Sequence, residues 1–323
     1  MNLRTALSAT LIAAASIVGA SHAHADESYP NRSVRMLVGF APGALTDQLA
    51  RLYAQKLGSM LGSTFVVDNR PGAGGNVAVK MLTQAEPDGY TIMMAANYVA
   101  INEALGKNNY RWDQDLQPIA LIASTPNLVV VPLTSPYKSV QDLIAASKSG
   151  TKLTYGSSGI GTTMHMSAEL FDAMSGTHMI HIPYKGAAPA EVDLISGTFS
   201  LMFDSITTAA PLVHNGKIKA LATTGKEPSP YFPDLPTVQE AGLKGYDVEA
   251  VYMLLAPAKT PPEIVKKLTD AVKAISNDAS TKEILKGFYT TQVQGGPQET
   301  MEFLKSEVKK WTELVKTANI KVE

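Results

Sequence analysis

The 323-residue chain contains no cysteine. Disulfide bridges, thiol nucleophiles, iron–sulfur clusters and cysteine-held zinc are therefore excluded. The chain also lacks an excess of either charge, with 28 Lys and Arg against 29 Asp and Glu. Nucleic acids and anionic membranes are bound through basic surfaces, so this balance argues against both as partners. Charged residues are only 18% of the chain and hydrophobic residues are 45%, a ratio that supports a sizeable core and argues against global disorder. At roughly 150 residues per domain, the length suggests about two domains. No apolar run reaches the ~18 residues of a membrane span.

What is present begins with a leader. Arg4 supplies a positive start, residues 6–20 are apolar and uncharged, and Ala23-His24-Ala25 is a small-x-small cleavage signal. Residues 1–25 thus read as a cleaved secretory signal peptide, and the mature chain is expected to be exported and soluble. No cysteine follows the apolar stretch, which disfavours a lipid anchor.

Strand and helix patterns then alternate. Residues 33–40 read as a strand with Val34, Met36, Val38 and Phe40 on one face. Thr46 or Asp47 can cap the helix that carries Leu49, Leu52, Tyr53 and Leu57. Further strands are expected at 64–69, 90–96, 128–131, 152–157, 179–184, 199–205, 218–223 and 248–256. Helices are expected from Asn76, from Ser139 and from Thr162, the last closed by Gly176. The proline-rich stretch 226–236 reads as a loop or crossover. Near the C-terminus, Met301, Leu304, Val308, Trp311, Val315 and Ala318 form one apolar helical stripe. Such alternation predicts an α/β protein with sheets covered by helices.

Two glycine-rich turns recur at strand–helix junctions, at 40–47 and at 156–163. A helix start exposes unpaired N–H groups and the positive end of its dipole, so such turns can bind carboxylate or phosphate without Lys or Arg. Turn geometry alone also explains the glycines. Nucleotide motifs fail. There is no G-x-x-x-x-G-K-[ST], and Val77 stands where a dinucleotide fingerprint needs its third glycine. The turn 156–161 fails as a nucleophile elbow because Ile160 occupies the closing glycine position. After the leader the histidines are His165, His178, His181 and His214. His178 and His181 are expected on opposite faces of one strand, and no metal set or H-E-x-x-H is visible. His165, one turn into its helix, can orient the turn or touch a ligand. Asp204 stands at the C-terminal end of its strand, where open α/β sheets place ligand contacts, or else serves as a turn carboxylate.

Ordered motifs run through the chain: Phe40-Ala41-Pro42-Gly43, Thr46-Asp47, residues 69–76 (Asn-Arg-Pro-Gly-Ala-Gly-Gly-Asn), Pro87-Asp88-Gly89-Tyr90, Tyr155-Gly156-Ser157, His181-Ile182-Pro183-Tyr184-Lys185-Gly186 and Met202-Phe203-Asp204. In these the chain resembles the tripartite tricarboxylate transporter receptors, also called Bug-type periplasmic solute-binding proteins. The resemblance implies a two-lobed, type II-like periplasmic binding protein, each lobe a sheet flanked by helices, with the ligand in the cleft. The lobes are expected at 26–126 with 250–323, and at 127–249. It further implies a monomer without cofactor, metal or catalytic residues, which delivers a small carboxylate, either a dicarboxylate or an aromatic one such as terephthalate, to membrane permease subunits. Carried over by position, the ligand contacts are Gly43, Thr46 and Asp47 in the first turn, and Ser157, Gly161 and Thr162 in the second; Phe40, Ala44, Leu45 and His165, beside them, are expected at the same site. Asn97 and Asp204, the latter with bound waters, are expected at the cleft. The family's first turn usually reads Phe-Pro-Pro-Gly-Gly, then Gly or Ser, then Thr-Asp. Here Ala41, Ala44 and Leu45 depart from it, and Leu45 is expected to pack against an apolar ligand body or onto its own helix. A ligand-presenting sensor for a membrane kinase, and a secreted α/β hydrolase, are the competing readings.

Overall fold

The computed structural model describes residues 29–318 and 320, so the leader expected at 1–25 lies outside the described residues. The first stretch runs β1 (Val34–Val38), α1 (Leu45–Leu61), β2 (Phe65–Asn69), α2 (Asn76–Thr83), β3 (Thr91–Ala96), α3 (Tyr98–Ala104) and α4 (Trp112–Asp115). Then come β4 (Leu116–Pro132), α5 (Val140–Lys148), β5 (Thr154–Ser157), α6 (Thr163–Ser175), β6 (Ile180–Pro183), α7 (Ala187–Ser196), β7 (Leu201–Ser205), α8 (Ile206–His214) and β8 (Ile218–Thr223). The chain returns through β9 (Glu249–Pro257), α9 (Pro262–Asn277), α10 (Ala279–Gly287), β10 (Thr291–Gly295) and α11 (Pro297–Thr317). The α/β class expected from the alternation is present. No helix among the described residues is long and apolar enough to cross a membrane.

The strand order is β2-β1-β3-β9-β4-β7-β5-β6, with β8 and β10 also paired to β4. The outer pairs, β1 with β2 and β3, and β5 with β6 and β7, are parallel. The central strands β3, β9, β4 and β7 pair antiparallel. Strand β4 joins the two halves. From Leu116 to Pro126 it pairs with β9, and from Asn127 onward it pairs with β7 and β8. The sequence suggests only a short strand at 128–131, because two prolines interrupt the longer one. Proline has no N–H to give a ladder. Pro118 sits where the register with β9 shifts, and Pro126 is where β4 changes partners. Side chains alternate across this strand. Val129 and Val131 enter the larger core, whereas Leu128 and Val130 enter a second cluster beneath α7 and α8.

Helix α11 lies against α3 and β4. Its apolar stripe is seated as expected. Leu304 and Trp311 are fully buried, and Met301, Val308, Val315 and Ala318 flank the same core. Between them lies Glu307, whose Oε2 accepts from Trp311 Nε1 at 2.8 Å and from Asn97 Nδ2 at 2.8 Å, while Oε1 pairs with Lys310 at 2.5 Å.

Helix α1 starts two to three residues earlier than its polar residues suggest. Its N-cap is Ala44, which offers no side-chain acceptor, so neither Thr46 nor Asp47 is the cap. Asp47 reaches back instead. Its Oδ2 accepts the Gly43 N–H at 2.9 Å and Arg51 Nε at 3.0 Å, and its Oδ1 accepts Asn69 Nδ2 at 2.9 Å. Asn69 also donates to the Phe40 carbonyl at 3.0 Å. The carboxylate thereby ties strand β2 and helix α1 to the 40–44 turn. Gly43, at φ +88°, makes the bend that this requires. Burial alone would raise the Asp47 pKa. Hydrogen bonds from Arg51, Gly43 and Asn69 outweigh it and hold the carboxyl below its ordinary value.

Two outcomes are expected. Glu307→Leu removes the acceptor for two buried donors and should cost about 1–3 kcal/mol per donor left unpaired, read by chemical denaturation. Glu307→Gln, which keeps an acceptor oxygen, should cost less. Asp47→Ala should destabilise the fold at about pH 7, and its deficit against the parent should shrink towards about pH 3. The folded pKa is depressed, so the carboxylate's contribution is present above the unfolded value and lost as pH falls through the folded one. A deficit that stays constant with pH would assign the effect to packing.

Candidate ligand-binding site

A cavity of about 550 Å³ opens where the two halves of the sheet meet. One wall comes from residues 40–46 and Gln48, the β3–α3 junction at 96–98, and Ala250 and Tyr252 of β9. The facing wall comes from Ser158, residues 162–164, residues 185–189, and Ser205, Thr207 and Thr208. The start of α1 (Leu45, Thr46), α6 (Thr163, Met164), α7 (Ala187, Ala188) and α8 (Thr207, Thr208) all lie in this lining. Helix geometry leaves the first N–H groups of each without an internal acceptor, and the dipoles bring partial positive charge to the same space. Lys185 is the one charged residue among the described lining residues, and no carboxylate lines the cavity. The chemistry of the wall suits an anion.

Between these polar ends the wall is apolar. Phe40 meets Tyr98 edge-on with centroids 5.1 Å apart, and Leu45, Met164 and Tyr252 also face the space. Leu45 is the first residue of α1 and retains 8% of its surface.

Of the residues expected at the site, Phe40, Gly43, Ala44, Leu45, Thr46, Asn97 and Thr162 line the cavity. Asp47, Ser157, Gly161, His165 and Asp204 lie outside the lining, behind it. Asp47 braces the first turn, as described. Asn97 turns its amide away from the cavity, donating to the Glu249 carbonyl at 2.9 Å and to Glu307. Thr162 is the N-cap of α6, as the sequence suggests. Its Oγ1 accepts the His165 N–H at 3.4 Å and donates to the Gly159 carbonyl at 2.8 Å, so its hydroxyl is engaged within the turn. Gly161, at φ +81°, lies close to α3, where a Cβ would come within 3.2 Å of Asn102 Oδ1 and 3.3 Å of Leu105 Cδ1.

Asp204 is fully buried, and Thr208 Oγ1 donates to its Oδ1 at 3.1 Å. Burial, followed by the nearby Glu191 carboxyl, pushes its pKa well above the ordinary value. It lies beneath the start of α8, and Thr207 and Thr208 stand in the wall where Asp204 was expected.

The histidines depart from expectation in another way. His165 and His181 face each other with ring centroids 4.4 Å apart, and Tyr155 stacks on His181 at 4.7 Å. Burial, then the neighbouring His181 and Lys107, lowers the His165 pKa to about 3, and burial lowers that of His181 to about 4. No cluster of three or more metal-ligating side chains occurs among the described residues.

The residues that sequence reasoning passed over are the starts of α7 and α8. A signal existed for each. Tyr184-Lys185-Gly186 ends β6 with a glycine before a helix, and Ser205 to Thr208 follow the carboxyl end of β7, where α/β sheets bind ligands.

The chain matches the sequence profile described as tripartite tricarboxylate transporter family receptor over residues 49–320. It is 30% identical over 307 residues to the UPF0065 protein in the tcbD–tcbE intergenic region of Pseudomonas sp. strain P51, covering 94% of this chain and 91% of that protein. Among solved structures it is similar to R. palustris Rpa4515 with adipate, with a TM-score of 0.84, 36% identity, and coverage of 90% of this chain and 99% of the other. It is also similar to MatC (Rpa3494) from Rhodopseudomonas palustris with bound malate, with a TM-score of 0.81, 31% identity, and coverage of 89% and 100%. The fold, the cavity and these similarities agree: the chain belongs to the tripartite tricarboxylate transporter receptor family, whose members are periplasmic solute-binding proteins.

Proposed function

We propose that this receptor captures a small carboxylate with an apolar body, a dicarboxylate or an aromatic carboxylate, and delivers it to the permease subunits of a tripartite transporter. The supporting observation is the wall itself: helix N-termini and Lys185 at its polar positions, no acidic residue among the described lining residues, and Phe40, Leu45, Tyr98, Met164 and Tyr252 between them. A carboxylate finds N–H donors on either side of the cavity, and a hydrocarbon chain or ring covers the apolar wall. The adipate in one R. palustris relative has such a body, and the malate in the other shares its two carboxylates.

In this reading residues 26–126 with 250–323 form one lobe and 127–249 the other, the crossings falling at Pro126 and near Glu249. The ligand touches both lobes and so favours the closed form. The first-turn contacts are Phe40, Gly43, Ala44, Leu45 and Thr46, and the second-turn contacts are the backbone of Thr162 and its successors. Asp47, Ser157, Gly161, His165 and Asp204 act one layer back.

Calorimetry with adipate, terephthalate, malate and citrate tests the ligand class. Adipate or terephthalate should bind more tightly than citrate. Leu45→Ser should weaken them by roughly fivefold or more, the equivalent of about 1 kcal/mol of lost apolar contact, and should leave malate less affected. Tight malate or citrate binding without an adipate or terephthalate response would overturn the apolar-body reading. Deleting the gene should abolish uptake of the ligand that binds. Intact uptake together with a lost transcriptional response would favour the sensor.

A further inference from the structure

Behind the second turn lies an aromatic stack, buried at Tyr155 and His165 and half-buried at His181, that the binding reading does not use. It comprises Tyr155 at the base, then His181 and then His165, with successive centroid separations of 4.7 and 4.4 Å. Both imidazoles meet the turn through ring nitrogens. His165 Nδ1 accepts the Gly161 N–H at 3.4 Å. His181 Nε2 lies 2.7 Å from Ser157 Oγ, and that oxygen accepts the Gly159 N–H at 3.1 Å. The Ser157 hydroxyl proton has two acceptors in reach, His181 Nε2 at 2.7 Å and the Gly159 carbonyl at 3.3 Å, and the imidazole is the closer. On the far side of His165, Nε2 lies 3.6 Å from Glu169 Oε1, which also accepts the Tyr155 hydroxyl at 2.7 Å. One tautomer satisfies all of these contacts for His165, with Nδ1 bare and Nε2 protonated.

We propose that His165 and His181 are positioning residues for ligand binding: their ring nitrogens fasten the 157–162 turn from behind and so aim the first turn of α6 at the ligand. The inference rests on the reading of the cavity as a carboxylate site. With the Gly159 and Gly161 N–H groups engaged at the rear, the donors that this turn and the start of α6 present to the cavity are those of Ser158, Thr163 and Met164. An imidazolium has no bare nitrogen and cannot accept, so the fastening requires neutral rings. Burial supplies that condition at neutral pH. The charged or titratable groups around the stack are Glu169, Asp172, Lys107 and Tyr155.

The test compares ring replacements with acceptor replacements in the full-length mature receptor. His165→Phe and His181→Phe keep a stacking ring and delete the acceptor. His165→Asn and His181→Gln put an amide oxygen near the lost nitrogen. Two readouts are taken: adipate affinity by calorimetry, and hydrogen exchange of the Gly159 and Gly161 amides by NMR without ligand. Each Phe variant should weaken adipate by roughly three- to tenfold and speed amide exchange, and the amide variants should restore most of both. Unchanged exchange and affinity in the Phe variants would overturn the proposal. Faster exchange with unchanged affinity would also overturn it, since the stack would then only support the fold. Should the parent fail to bind adipate, the proposed ligand class fails separately, and the exchange rates still decide whether the turn is fastened. Should the Phe variants not fold, the imidazole nitrogen shifts of the parent decide: a bare Nδ1 on His165 near neutral pH supports the fastening, and a protonated one overturns it.

Discussion

Strand β4 is the member on which the rest depends. Its first stretch is hydrogen-bonded to β9 and its second to β7 and β8, so one run of backbone belongs to both halves of the sheet. The halves therefore meet along a shared strand. The four long helices whose starts line the cavity follow turns that converge there, α1 from one half and α6, α7 and α8 from the other. Parallel strand–helix units put helix N-termini at the carboxyl edge of their sheet. Joining two such edges across β4 and β9 gathers positive dipole ends around one space without gathering cationic side chains.

That arrangement lets the proposed carboxylate receptor work with a formal charge of only −1. A long-range field from an excess of Lys and Arg is not needed when the donors are fixed N–H groups in a recess. Fixed donors must be held, and the residues behind the wall do this. Asp47 ties the 40–44 turn to β2 and α1, Ser157 with His181 ties the second turn to β5 and β6, and His165 ties Gly161 to α6. Asp204 accepts from Thr208 under the start of α8. Asp47 and Ser157 are buried polar groups bonded on the side away from the cavity, which leaves the cavity side to backbone and small hydroxyls.

How far the sequence could be read follows from the range of each interaction. The α/β class, the cap at Thr162, the stop at Gly176 and the stripe on α11 depend on neighbours within a few residues, and their patterns are legible. The length of β4 is not, because Pro118 and Pro126 mark breaks in local pairing whereas the partners that sustain the strand, β9, β7 and β8, lie far along the chain. Turn residues could be assigned to the site region, but which of them face the cavity could not. Asp47 and Thr46 are adjacent, yet only Thr46 lines it, because the two lie about 100° apart around α1 and strand β2 stands on the side that Asp47 faces. The His165–His181 pairing depends on β5 and β6 lying side by side with α6 above them, a juxtaposition that the spacing of the two residues does not encode.

The contact between the halves bears on how binding and closure are linked. Asn102 of α3 donates to the Gly74 carbonyl at 2.9 Å, and both Gly74 and Gly161 press against its amide so closely that a Cβ on either would come within 3.3 Å of it. The second turn thus rests on α3 of the other half, and it reaches that position with its Gly161 N–H held by His165 and its Gly159 N–H by Ser157. Glycine at both points is what allows the two backbones to approach, and the left-handed φ of each, +62° at Gly74 and +81° at Gly161, disfavours a larger residue on conformational grounds as well. The same turn therefore borders the cavity with the start of α6 and meets the opposite half with Gly161. A ligand that orders this turn lowers the cost of bringing the halves together, and closed halves in turn hold the turn against the ligand, a reciprocity that any binding-linked closure must obey.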